Sequence, residues 1–212
     1  MSQNTKTIYI LLMRFPGGGP LFMELMTGYY YTHASIGLGE DMNTFYSFVK
    51  TGFIAEDINR YVDKQGRAPF PCRLYRLPVS AGVYAAVKRV LSLFIRFQAL
   101  LHYTNAGLIL NLFSLPYRRR FGYYCSHFVA EVLNRSKAAK LKKRACRYMP
   151  QDIALLPGME LLYQGDLRAM RDHYGIAPLP KEKQFHHAHT VLRRMQPRVP
   201  TQHLVPAMPV HK

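Results

Sequence analysis

The sequence predicts an α+β fold: an antiparallel sheet packed against helices, with a basic, Pro/His-rich C-terminal tail. Three observations carry this reading. Short apolar or alternating segments, separated by Gly- and Pro-marked turns, occupy the chain as far as Leu77. Two segments with helical periodicity follow, from Val83 to Leu101 and from Cys125 to Arg135. Beyond Gly175 the composition changes to Pro178, Pro180, Pro197, Pro200, Pro206 and Pro209, interspersed with His186, His187, His189, His203 and His211. Prolines at that density exclude long helices and sheet pairing, which leaves room only for a helical patch at His189 to Met195. At 212 residues and 49% hydrophobic content the chain can bury a substantial core. We read residues 1–175 as one domain and residues 176–212 as a mostly disordered tail.

In chain order, Thr7 to Phe15 reads as the first strand. Pro16-Gly17-Gly18-Gly19-Pro20 is a turn opening a short helix from Leu21 to Met26. The glycines are not followed by GK[ST], and GxGxxG is absent, so they make a turn and not a phosphate loop. From His33 to Leu38 residues alternate, with His33, Ser35 and Gly37 on one face and Ala34, Ile36 and Leu38 on the other. The turn Gly39 to Asn43 joins this strand to Thr44–Val49 as an antiparallel hairpin, which brings His33 and Ser47 to the same end. Thr51 to Ile58 reads as a further extended piece running into a helical turn, 63–69 as a polar loop, and Cys72 to Leu77 as another strand. Val83, Val87, Val90, Leu91, Phe94 and Leu101 define an amphipathic helix whose opposite face carries Lys88, Arg89, Ser92 and Arg96. Asn134 to Arg147 holds seven basic residues and no acid, and reads as a continuation of the helix begun at Cys125. Pro150-Gln151-Asp152-Ile153 opens a capped helix, and Leu155 to Leu162 is an apolar closing element.

The net charge of +17 implies attraction to anionic partners: nucleic acid, anionic membrane or acidic polymers. Its expected form is weak, salt-sensitive association through Lys137–Arg147 and the tail. The cysteines Cys72, Cys125 and Cys146 show no CxxC spacing, which argues against a disulfide scaffold or a zinc ribbon and fits a reducing, cytoplasmic setting. No HExxH or paired-ligand spacing occurs, so neither a metal nor another cofactor is expected. The apolar runs Ile8–Met13 and Ala106–Leu115 fall far below the roughly 20 residues that span a bilayer, and no transmembrane segment is expected.

The stretch Tyr123 to Leu133 organises the rest. Phe128 and Val132, and likewise Val129 and Leu133, fall on one helical face after Cys125, which places the thiol in the first turn. Unpaired N–H groups and the positive end of the helix dipole favour a thiolate there and offer donors to an oxyanion. A small core residue is the plain alternative for Cys125, as a core-edge strand residue is for His33. His127 stands two residues from Cys125 on the same helix and points away from it.

At these residues the chain resembles the circularly permuted papain-like superfamily, related to NlpC-type hydrolases and lecithin retinol acyltransferase, and within it a bacterial group. The motifs are YTHASI (31–36), FYSF (45–48), GFIAEDI (52–58), CRLYRLPV (72–79), HYTNAGL (102–108), YCSHFVAEVL (124–133), MPQDIALL (149–156) and LLYQGDL (161–167). The resemblance runs from about Ile8 to Leu167 and implies a permuted papain-like fold. It implies a cysteine hydrolase or acyltransferase acting on a peptide-like or lipid-like acyl substrate, with Cys125 as nucleophile and His33 as general base. The superfamily's third polar group comes from the strand after the histidine strand, where Ser47 stands. Serine is a weaker orienter than a carboxylate or an amide. The second reading is a non-catalytic scaffold that binds nucleic acid or anionic membrane through its basic surface.

Overall fold

The apolar run beginning at Ile8 becomes the centre of the molecule. Ile8, Ile10, Leu11, Leu12 and Met13 are all fully buried, as a strand covered on both faces requires, and this is why the run shows no alternation. The computed structural model describes residues 5–39, 42, 44–66, 68–112, 115 and 121–178. Residues 179–212, with the helical patch expected in the tail, lie outside the described residues, as do residues 40, 41 and 43 of the expected hairpin turn.

The elements in chain order are β1 (Thr5–Met13), α1 (Gly18–Thr27), β2 (His33–Leu38), β3 (Phe45–Val49), β4 (Gly52–Glu56), α2 (Ile58–Gln65), β5 (Pro71–Ser80), α3 (Ala81–Arg96), β6 (His102–Tyr103), α4 (Asn105–Leu112), β7 (Gly122–Tyr123), α5 (Cys125–Arg135), α6 (Pro150–Ala154), β8 (Glu160–Asp166) and α7 (Leu167–Tyr174). The fold is α+β. Six strands form one antiparallel sheet in the order β4-β3-β2-β1-β5-β8, and β6 and β7 pair separately in parallel.

Each face of the sheet has its own core. Ile8, Ile10, Leu12, Ala34, Ile36, Phe48 and Phe53 pack with Val87, Leu91 and Phe94 of α3 and with Phe128, Val129, Val132 and Leu133 of α5. On the other face Leu11, Met13, Phe45, Cys72 and Leu74 pack with Ile58 and Val62 of α2 and with Leu167 and Met170 of α7. The period-2 alternation of a strand sends neighbouring residues to opposite cores. Among the described residues no helix is long and apolar enough to cross a membrane.

Three expectations shift. The helix begun at Cys125 stops at Arg135, where Ser136 turns its hydroxyl back onto the Val132 carbonyl (2.7 Å) and Lys137 takes a left-handed φ of 59°. The basic segment that follows is therefore not its continuation. The helix expected to reach Leu101 ends at Arg96, followed by a 3-10 turn at Gln98–Leu100. The closing element is the edge strand β8, which begins at Glu160 and not at Leu155.

Candidate active site

Helix α5 is almost wholly interior. Cys125 through Ala130, then Val132 and Leu133, are all buried. Its entry is fixed by side chains that reach one segment: the Tyr124 hydroxyl donates to the Cys146 carbonyl, and Ser126 Oγ donates to the Tyr148 carbonyl at 2.7 Å. Cys125 is the first residue of the helix, 6% exposed, with Sγ 3.9 Å from the Thr32 carbonyl oxygen. That carbonyl immediately precedes His33, so the start of α5 is docked on the start of β2.

His33 is 3% exposed and its ring stacks on Phe15 with centroids 4.4 Å apart. One ring nitrogen, Nε2, is hydrogen-bonded to Oε1 of Glu56, and Cys125 is the imidazole's other side-chain partner. Burial by itself would push this imidazole below its ordinary 6.5. The Glu56 carboxylate, and after it Cys125, outweigh burial and raise its pKa to about 10. The ring is accordingly an imidazolium at neutral pH.

Glu56 closes β4 and is 1% exposed. The strand ladder explains how it reaches His33. Gly37 faces Phe45, and Phe45 faces Glu56, so Gly37, Phe45 and Glu56 share a sheet face with Ser35 and His33. Beyond His33, β2 presents only the small residues Ser35 and Gly37 on that face. A Cβ on Gly37 would stand 2.8 Å from the Phe45 ring, so only glycine admits so close an approach. Directly after Glu56, Asp57 caps α2 by accepting from the Asn59 N–H (3.1 Å), which fixes the turn out of β4. The same helix presents Tyr61, whose hydroxyl lies 3.5 Å from Glu56 Oε1. Burial first, then the Glu56 charge, push that hydroxyl well above its ordinary range, so it stays a neutral donor. Among the described residues Glu56 Oε2 has no hydrogen-bond partner.

Ser47, expected beside His33, stands elsewhere. It is fully buried and shares the His33 face, but its Oγ donates to the Ala34 carbonyl at 2.7 Å. Ile36 faces Tyr46, so Ser47 comes level with Ser35, two residues short of His33. The group at the ring is Glu56, one strand further out. Sequence reasoning passed over Glu56, although an acid ending an apolar strand just before a capping aspartate is a readable signal, because buried acids need partners. His127 packs against the rings of Tyr123 and Tyr124, at 4.7 and 5.4 Å between centroids.

A narrow cleft leads to the sulfur. Its walls are Met23 and Thr27 of α1, Tyr31, Tyr103, Leu108 of α4, and Met149–Pro150. Its free volume is about 20 Å³, room for about one water molecule. Burial, with the neighbouring Cys125 charge, pushes the Tyr103 hydroxyl upward, so it too remains a neutral donor. Gln151 anchors the Tyr31 wall: its amide donates to the Tyr31 carbonyl (2.9 Å) and accepts from the N–H groups of Tyr31 (2.9 Å) and Tyr30 (2.6 Å). Among the described residues no cluster of three or more His, Cys, Asp or Glu is arranged to hold a metal ion.

No protein-family model and no curated protein matches this chain. The case for a function therefore rests on the chemistry of the site.

Proposed function

We propose that this protein is a thiol-dependent acyl hydrolase of permuted papain-like design, with acyl transfer to a second nucleophile as its variant. Cys125 is the nucleophile, His33 its acid–base partner and Glu56 the group that orients and charges the imidazole. The observation that carries the reading is the buried row Glu56, His33, Cys125 at the first turn of α5. A carboxylate on the imidazole and a thiol beside it is the arrangement that nucleophilic cysteine chemistry requires.

In this reading the imidazolium stabilises negative charge on the neighbouring sulfur. The thiolate attacks an acyl carbonyl carbon, a C–S bond forms, and the carbonyl electron pair moves onto oxygen. The N–H groups at the start of α5 face the developing oxyanion, and Tyr103 is the second donor. Collapse breaks the bond to the leaving group, which takes the His33 proton. The neutral imidazole then removes a proton from water, or from an acceptor hydroxyl or amine, as that group attacks the thioester and frees the sulfur. Glu56 holds the ring in one orientation through both halves.

The test is a panel of chromogenic esters and amides, with intact-mass detection of the acyl-enzyme. Turnover and an acyl adduct on Cys125 are expected. Cys125→Ala should lower the rate by about 10³-fold or more, and His33→Gln by a comparable factor, because thiol and base act as a unit. Adduct formation at the same rate in His33→Gln, or no adduct with any acyl class, would remove the enzyme reading and leave a binding scaffold.

A further inference from the structure

Helix α1 is built inside out. It has no buried residue. Leu21, Phe22, Leu25 and Met26 are 59%, 52%, 80% and 47% exposed. Their spacing puts all four on one face. The inward positions are accounted for, since Met23 and Thr27 line the cleft at Cys125 and Glu24 takes a bidentate bond from Arg14 at 2.8 and 3.2 Å. The helix's lone acid is thereby neutralised. Four large apolar side chains in one short helix make a concentrated patch, which on a protein of this size marks a contact surface.

We propose that α1 docks the protein on anionic lipid bilayers by burying Leu21, Phe22, Leu25 and Met26 among the acyl chains. Charge selects this occupant. A net charge of +17 makes self-association through the patch repulsive, whereas it attracts an anionic membrane surface. The rim is equipped for an interface. Tyr30 is 42% exposed and carries the Arg14 guanidinium 4.8 Å above its ring, an amphipathic pair suited to headgroup depth. Ile109 of α4, next to the cleft-wall residue Leu108, is 49% exposed. The chain leading into the cleft wall at Met149 carries exposed Lys140, Lys142, Lys143 and Arg144. At ten residues α1 is about 15 Å long, so it lies in the plane of the interface and does not cross it. Because its inner face lines the cleft, docking seats the cleft mouth on the membrane. The docking itself does not depend on the catalytic reading.

The chain has no tryptophan, so Phe22→Trp in the full-length protein reports on α1 alone. With mixed phosphatidylcholine–phosphatidylglycerol vesicles its emission should shift to the blue and be quenched by lipids brominated along the acyl chain. Pure phosphatidylcholine should give much weaker changes. Leu21→Ser with Leu25→Ser, at exposed positions where the fold tolerates polar residues, should weaken vesicle co-sedimentation by roughly tenfold or more. Melting temperatures matched to the parent keep that comparison valid. Co-sedimentation without a blue shift would mean that basic segments bind and α1 does not, which overturns the proposal. So would undiminished binding by the double variant, a blue shift elicited only by RNA or DNA, or a dimer that the double variant dissociates while vesicles go unbound.

Discussion

The side chain of Glu56 is 0% exposed and that of His33 is 4% exposed. Two charges this far from water hold each other in place, and removing one strands the other at a cost of about 3–5 kcal/mol. Glu56→Ala should therefore destabilise by roughly that amount, while Glu56→Gln, which keeps a hydrogen-bond acceptor, should cost less. The pair also fixes a pH dependence. The His33 pKa lies at about 10 in the folded protein against an ordinary 6.5. Between those values the native state holds a proton that the unfolded chain has released, so stability falls as pH rises. The contribution is complete below about 6.5 and gone above about 10. Denaturation midpoints of the parent should decline across that window more steeply than those of the double variant His33→Gln with Glu56→Gln, whose two side chains do not titrate; parallel curves would refute the ion pair. The positions of Cys125 and His33 were legible in the sequence because each stands at the start of a locally periodic segment, while their pairing was only what the family resemblance implied. Glu56 was readable only as an acid that needs a partner, because its relation to His33 runs through two strand pairings.

At the scale of elements, the site depends on how closely β3 and β4 approach β2. Gly37 sets that approach. Gly37→Ala would drive a methyl into the fully buried Phe45 ring, and overpacking of this kind costs about 1–3 kcal/mol. Phe45 is the strand partner of Glu56, so the displacement reaches the Glu56–His33 pair. Urea denaturation should show the lost stability, and acyl-transfer rates should fall by more than the unfolded fraction explains. The strands β1 to β5 and the helices α1, α3 and α5 were readable from local pattern, whereas the short pair β6 and β7 and the helices α4 and α7 were not. Element ends were not, because they are set by single hydrogen bonds such as Ser136 to Val132 and by the left-handed residue Lys137. The hairpin reading brought Ser47 to the His33 end of the strand pair. It could not show that the hydroxyl would be taken up by a backbone carbonyl.

The whole molecule distinguishes three buried thiols by what surrounds them. Cys72 is fully enclosed between the sheet and α7, and burial first, then Asp166, push its thiol up to about 12. Cys146 is 8% exposed, and its own carbonyl is tied to Tyr124. Cys125 lines a cleft and has the His33 imidazole as an electrostatic partner. Iodoacetamide at pH 6 should label Cys125 first in the native protein and all three alike after denaturation. His33→Ala should slow labelling of Cys125 and leave Cys146 unchanged. Peptide mapping of the alkylated protein decides the matter, and equal native labelling would count against the proposed dyad.

The order of these parts along the chain has a consequence for synthesis. His33 and Glu56 stand 23 residues apart, and the rings packed around the imidazole and its stacking partner, Phe15, Tyr61 and Phe70, all precede β5. Cys125 comes 93 residues after the Thr32 carbonyl it touches. A ribosome adding about 5–20 residues per second makes the imidazole and its carboxylate several seconds before it makes the sulfur. A translation product that stops before α5 holds the imidazole and its carboxylate without the sulfur. A finished chain whose α5 has not yet docked on β2 keeps the sulfur apart from the imidazole, so in the proposed reading the newborn protein gains its reactivity only when that contact forms.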